Sequence, residues 1–284
     1  MTLLQRYSPL LFVLLWSTGF IGARLGLPHA EPLTFLLLRY AVVIALLGAV
    51  AAATRAPWPK TARAWFHIGV SGVLVHAIYL GGVFIAISRG LPAGVSSVVV
   101  GIQPLLTAAV AGWLLGESVT RKQWFGLALG FVGVVLVVQA KFGTAFGWSA
   151  LLPAVLALLG ITSGTIYQKR FCPHFDLRTG AVAQFLPTLL LTAIAATMTE
   201  SFAVSWTGEF IFALAWLILV LSLGAISLLN LLIRRGGAVN VASLFYLVPP
   251  TTALMAWWLF DETLTGVALL GMALAVGGVY LARK

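Results

Sequence analysis

Arg39 is the residue whose position most needs a chemical explanation. It stands about eight residues into a long apolar run, roughly 12 Å deep if that run is helix at 1.5 Å per residue. A guanidinium at such depth costs at least about 2.5 kcal/mol on insertion scales. No Asp or Glu lies deep in any apolar run of the sequence. Its partner is then a carbonyl, water, an aromatic face or an anionic group brought by a ligand; otherwise it caps a helix end or snorkels outward. His76 and Tyr79 are three residues apart, which places them on one face of a helix. His76 is the clearest titratable group near mid-run, either a proton carrier or a satisfied core histidine.

Aromatic and hydroxyl residues gather at similar depth elsewhere. Trp16, Ser17 and Phe20 form one group, and Ser163 and Tyr167 another. Together they suit a cavity for an amphipathic solute, although helix packing uses the same residue types. Pro104 interrupts a fourth apolar run near its middle, and Pro249 and Pro250 interrupt a ninth. Proline removes an N–H and clashes with the carbonyl one turn back. The freed backbone groups need neighbours or a water-lined cavity. Gln103 precedes one break, Asn240, Ser243 and Tyr246 approach the other, and Asn230 can join them. Interruptions at matching places in two halves point to a binding site at the membrane midplane; without a ligand they are simple kinks.

The elements that must position these residues follow from hydropathy. The chain has 284 residues, 61% hydrophobic and 8% charged, against about 25% charged in a soluble domain. Ten segments long enough to span a bilayer core of about 20 residues can be laid down, near 8–25, 32–53, 64–87, 92–115, 122–140, 148–168, 179–198, 210–233, 239–260 and 264–282. Barrel strands need alternation over about 10 residues, whereas these runs are longer and continuously apolar. Arg6 before the first run resembles a signal peptide, but no clear cleavage site follows.

The net charge of +10 fits loops meeting anionic lipid headgroups better than nucleic acid, because the basic residues fall between apolar runs. With the N-terminus in the cytoplasm, Arg6, Arg55, Lys60, Arg63, Arg121, Lys122, Lys169, Arg170, Arg178, Arg234, Arg235, Arg283 and Lys284 lie inside. Only Arg24, Arg89 and Lys141 lie outside. That bias sets the orientation and requires an even helix count. Cys172 is the only cysteine and falls in a loop; no Cys/His cluster has metal-site spacing, and no metal or cofactor is expected.

The second part of each half repeats. Arg89-Gly90 matches Arg235-Gly236, Pro104 matches Pro249-Pro250, and Trp113 matches Trp258. Glu117 with Thr120 matches Glu262 with Thr265, and Gly126 and Gly133 match Gly271 and Gly278. Weaker echoes align Ser17 with Ser163, Arg24 with Arg170, and Arg39-Tyr40 with Gln184-Phe185. The halves, residues 1–141 and 142–284, hold five helices each, so the second enters the membrane from the opposite side. The expected fold is all-α and integral to the membrane, with ten transmembrane helices as two inverted five-helix repeats, a plan suited to alternating access. Gly126 with Gly130, and Gly271 with Ala275, let helices approach closely within one chain or in a homodimer. Glu117, Asp261 and Glu262 fall at helix ends, as gates or as partners of loop arginines.

Leu15-Trp16-Ser17-Thr18-Gly19-Phe20, Leu38-Arg39-Tyr40, Pro104 with Gly116-Glu117, and Pro250 with Asp261-Glu262 occur in an order that resembles the drug/metabolite transporter superfamily, specifically its EamA-like bacterial members. The resemblance covers nearly the whole chain. It implies the bacterial inner membrane, both termini cytoplasmic, a central cavity between the halves, and export of small metabolites such as amino acids. Gln184, where the first half has Arg39, departs from strict equivalence. The leading expectation is a secondary exporter of small organic solutes. No GxxxxGK[ST] nucleotide loop is present, and proton coupling would run through His76 or the substrate. An intramembrane enzyme acting on a lipid or peptide would need Ser17 or Ser163 to meet His76 and a third group. A channel would need rings of carbonyls or charges, which the sequence does not display.

Overall fold

In the computed structural model, the described residues are 3–91, 93–139, 147–172, 174–260 and 264–282. They are helical, with no strand among them beyond one isolated bridge between Ala30 and Val204. The helices are α1 (Leu3–Gly26), α2 (Pro32–Ala53), α3 (Ala62–Ser88), α4 in pieces Ala93–Val100 and Gln103–Leu115, and α5 (Arg121–Val138). Then come α6 (Trp148–Phe171), α7 (Leu177–Thr199), α8 (Gly208–Arg235), α9 from Ala238 to Phe260 and α10 (Gly266–Ala282). Nine of these are long and apolar enough to cross a bilayer among the described residues, and α10 has 17 residues. The expected half boundary at 141/142, and Lys141, Asp261, Glu262, Arg283 and Lys284, lie outside the described residues.

Local chemistry sets where the helices begin. Thr120 and Gln123 form a reciprocal capping box at α5, and Thr61 and Thr207 accept from the backbone of Ala64 and Phe210. Thr265, the repeat partner of Thr120, caps α10 by accepting from Ala268 N at 3.1 Å. Outward faces carry Leu190, Ile194, Leu219 and Val276, all exposed. Such a surface suits lipid rather than water. Trp113 and Trp258, matched in the repeat, are exposed at helix ends as interfacial aromatics are.

Packing is mirrored between the halves. α1 lies against α8 and α9, and α6 lies against α3 and α4; α2 packs on α7 and α8, and α7 on α2 and α3; α5 packs on α10. Exchanging each helix for the one five further along preserves this pattern. α5 and α10 run antiparallel: Gly126 abuts Gly278 and Ala282, and Gly133 abuts Gly271 and Ala275. α2 and α7 are antiparallel as well. The Glu200 carboxylate at the end of α7 accepts from Leu33 N, Thr34 N and Thr34 Oγ1 at 2.7 Å each, at the start of α2. Thr179 at the start of α7 donates to Pro57 O beyond the end of α2.

Connector contacts sort into two faces. On one, Glu31 accepts from Ser201 and Ala203, and Arg89 donates to Ser149 O. On the other, Thr179 meets Pro57, and Glu117 accepts from Ala238 N at 2.8 Å. Glu117 thereby caps the start of α9. Replacing Glu200 with alanine strands three donors at the start of α2 and is expected to cost about 1–2 kcal/mol, the upper range for losing a helix cap. Thermal unfolding in detergent should show the loss, with Glu200→Gln intermediate; an unshifted midpoint would refute the assignment. Cys172 is buried against Ile68, Phe175 and Ala183, and burial pushes its thiol up to about 11, so it fills space rather than reacts.

Candidate functional site

Two departures from regular helix build the centre. α3 is π-helical over Val73–Leu80 and α8 over Leu217–Ala225. These segments occupy equivalent places in the two halves. π turns are rare and gather at functional sites; here they carry His76, Tyr79 and Ser222. α4 and α9 are also broken at matching places. Gly101-Ile102 interrupts α4, with Pro104 in the first turn of the following piece, and a 3-10 turn at Leu244–Leu247 precedes Pro249 and Pro250 in α9. The prolines start new helix, which their fixed φ favours.

Arg39 enters from α2 and is fully buried. Its Nε donates to Ser222 Oγ at 2.8 Å, while both terminal nitrogens lack a partner. Arg39 is the one buried Lys, Arg, Asp or Glu among the described residues. His76 and Tyr79 lie within its electrostatic reach. They do not share a face as the three-residue spacing predicts, because i→i+5 winding parts them. The His76 ring stacks on Phe185 of α7 at 4.3 Å, and Tyr79 stacks on Trp16 of α1 at 6.2 Å. Tyr40 donates to His76 O at 2.8 Å and holds the π turn in place. Both His76 ring nitrogens are buried and make no hydrogen bond within 3.5 Å, with the Gln184 side chain close by.

Further unpartnered polar atoms gather on α4 and α9: Gln103 Oε1, Thr107 Oγ1, Ser96 Oγ and Tyr246 OH. Gln103 reaches Thr165 Oγ1 of α6 at 3.4 Å. Buried polar groups are normally satisfied, so such a concentration marks where water or a ligand belongs. Ser17 links α1 to the α9 break, donating to Val13 O and Val248 O, and Phe20 is half-buried.

Other expected residues go elsewhere. Ser163 is exposed and bonds back to Leu159 O; Tyr167 meets His67 Nδ1 at 2.7 Å, half-buried. Ser243 donates to Asn240 O on its own helix, and Asn240 is half-buried. Asn230 joins a closed ring of amides instead of the α9 break. Gln168 Nε2 donates to Asn230 Oδ1 at 3.0 Å, Asn230 Nδ2 to Gln184 Oε1 at 3.2 Å, and Gln184 Nε2 to Gln168 Oε1 at 3.1 Å. Gln184 also reaches Ser71 on α3. The ring ties α6, α7 and α8 together with no amide oxygen left open. Gln168, Ser222, Tyr40 and Phe185 are not among the candidate site residues of the sequence; the repeat alignment of Arg39-Tyr40 with Gln184-Phe185 reaches two of them, and the Leu38-Arg39-Tyr40 motif reaches Tyr40 again.

No group of three His, Cys, Asp or Glu able to hold a metal occurs among the described residues. A buried guanidinium with four vacant N–H donors can take a carboxylate or similar anion in bidentate fashion.

The EamA-like transporter family model matches twice, over residues 8–139 and 148–283. A "Probable amino-acid metabolite efflux pump" of Salmonella typhimurium is 28% identical, the match covering 97% of this chain and 93% of the relative. An "Uncharacterized transporter YvbV" of Bacillus subtilis is 29% identical over 95% and 88%. The Escherichia coli "Uncharacterized inner membrane transporter YedA" is 24% identical over 94% and 87%. A solved structure, "Crystal structure of protein", superposes with TM-score 0.78 at 23% identity, covering 97% of this chain and 94% of that one, and shares the fold.

Proposed function

The chain belongs to the EamA-like transporter family, and on that premise we propose that it is a ten-span secondary exporter of small organic solutes bearing a carboxylate, such as amino acids, working by alternating access. It is a multi-pass membrane protein, and relatives named as inner-membrane transporters favour the bacterial inner membrane. The observation that carries the substrate reading is the Arg39 guanidinium, buried with both terminal nitrogens open. A carboxylate supplies the missing charge and the missing acceptors together. Tyr79, within the field of the guanidinium, stacks on Trp16, and Trp16 meets Phe245 edge to face, so this aromatic cluster offers apolar faces for the rest of an amphipathic solute. The name of the Salmonella typhimurium relative agrees with this class.

Several observations support two inverted five-helix repeats. The helix contacts are exchanged five for five, and the equivalent helices α5 and α10, and α2 and α7, pack antiparallel. Equivalent antiparallel partners are what a two-fold axis in the membrane plane produces. The Lys and Arg bias favours both termini in the cytoplasm. The repeat division near residue 141 and proton coupling through His76 belong to the same reading.

Counterflow in proteoliposomes tests it. Vesicles preloaded with an unlabelled amino acid should accumulate the labelled one saturably, and a pH gradient should change the rate if protons are coupled. Uncoupled ohmic current would point to a channel. Conversion of a lipid or peptide without exchange would point to an enzyme.

A further inference from the structure

A second place in the fold combines a cavity with fixed positive charge. The α6–α7 connector, the first turn of α7 and the last turn of α8 border an open depression of about 640 Å³, lined by Phe175, Asp176, Leu177, Arg178, Leu231, Arg234 and others. That volume falls within the range of about 300–1,000 Å³ typical of small-ligand sites. Arg234 Nη1 donates to Phe175 O at 2.8 Å, and its guanidinium lies 5.6 Å from the Phe175 ring centroid. Asp176 holds Arg178 through bonds of 3.0 and 2.7 Å. Those bonds keep the Asp176 carboxyl down at about 2, so it stays ionised and offsets Arg178. Arg234 and Arg235 then leave the cavity with an excess of two positive charges.

The repeat shows that this arrangement is not a by-product of the fold. In the first half the matching positions are Ala30, Glu31 and Leu33 at the start of α2, and Ser88 and Arg89 at the end of α3. There the cap residue Glu31 accepts from Ser201 N, Ser201 Oγ and Ala203 N, and Ala30 is bridged to Val204. Arg89 donates to Ser149 O. The outer counterpart is thus closed by protein backbone. In the inner one, the cap residue Asp176 turns to Arg178 on its own helix and a cavity remains.

We propose that this cavity binds the phosphate of an anionic phospholipid headgroup in the cytoplasmic leaflet. Arg234 and Arg235 end α8, which places them at headgroup depth in the orientation given above, and the inference rests on that orientation. Leu231 is one helical turn further in, and Leu177 and Phe175 complete an apolar side for the glycerol and upper acyl chain. Basic pockets between helices on the cytoplasmic side recognise lipid phosphates in this manner. A free phosphate would offer the same charge but nothing for the apolar side.

The test is native mass spectrometry of the purified protein with added phosphatidylglycerol or phosphatidylcholine, so its outcome is separate from whether transport is observed. The protein should retain phosphatidylglycerol in preference to phosphatidylcholine. Arg234→Gln with Arg235→Gln should weaken retention by about thirtyfold, and Arg235→Gln alone, at an exposed side chain, by about fivefold. The single variant keeps the test standing if the double one misfolds, and the double Lys variant should retain most of the binding. Equal retention of both lipids, or equal retention of phosphatidylglycerol by wild type and variants, would overturn the proposal. Displacement of the lipid by millimolar inorganic phosphate would overturn the lipid as the source and leave a soluble anion.

Discussion

Arg39→Ala is expected to reduce counterflow of a carboxylate-bearing solute by about a hundredfold, the value of a charge-assisted bidentate contact near 2.7 kcal/mol. The same substitution should leave the amount of folded protein unchanged or raise it. Removing a guanidinium from mid-membrane relieves at least about 2.5 kcal/mol of insertion cost. The lost bond is a single one, from Nε to Ser222 Oγ, because the terminal nitrogens have no partner to lose. A structural arginine predicts the reverse: less folded protein, and transport per folded molecule intact. The solute itself supplies a second control. An uncharged amide or ester analogue should be transported equally by wild type and variant, since it cannot use the guanidinium's charge. Arg39→Lys should recover part of the rate, as it restores the charge without the planar fork. Wild-type kinetics in the alanine variant would remove Arg39 from the site.

Helix positions were legible in the sequence to within a few residues, since span length and hydropathy are imposed by the bilayer. Pro32–Ala53 begins and ends where expected. The breaks in α4 and α9 were legible through Pro104, Pro249 and Pro250, although the irregular turns lie just before the prolines, at Gly101-Ile102 and Leu244–Leu247. The π turns were not legible. Val73–Leu80 and Leu217–Ala225 are ordinary apolar runs, and i→i+5 bonding leaves no compositional mark. That is why His76 and Tyr79 were expected on one face and instead meet Phe185 and Trp16. Depth along a helix was readable, but rotation about its axis was not. Ser163 has the depth of Ser17, yet one is exposed and the other fully buried. The amide ring shows the same limit. Gln168 stands at the end of an apolar run just before Lys169 and Arg170, and only the packing of α6 on α8 reveals its bond to Asn230.

Gly133→Val should lower the unfolding midpoint in detergent more than any single cap loss, by about 3 kcal/mol or beyond, the upper range for overpacking. A Cβ at Gly133 would meet Gly271 O at 2.6 Å and crowd Ala275 N. Both are backbone atoms, so no rotamer can give way and the two helices must separate. Membrane helices associate through close packing of this kind, with no hydrophobic force between them to compensate. The reciprocal contact is as tight: a Cβ at Gly271 would lie 2.6 Å from Gly133 O, and one at Gly126 2.7 Å from Gly278 O. The small-residue stripes therefore serve contact between α5 and α10 of one chain. Gly48→Ala is the control. It is in α2 with nothing within 4 Å of the added methyl, and should be neutral or stabilise by up to about 1 kcal/mol through helix propensity. The alternating access proposed above would move the halves against each other, and the α5–α10 seam is a close contact between them. A milder change, Gly133→Ala, should then slow exchange at temperatures where the protein remains folded. Identical midpoints and exchange rates for Gly133→Val and Gly48→Ala would show that the seam carries neither stability nor motion.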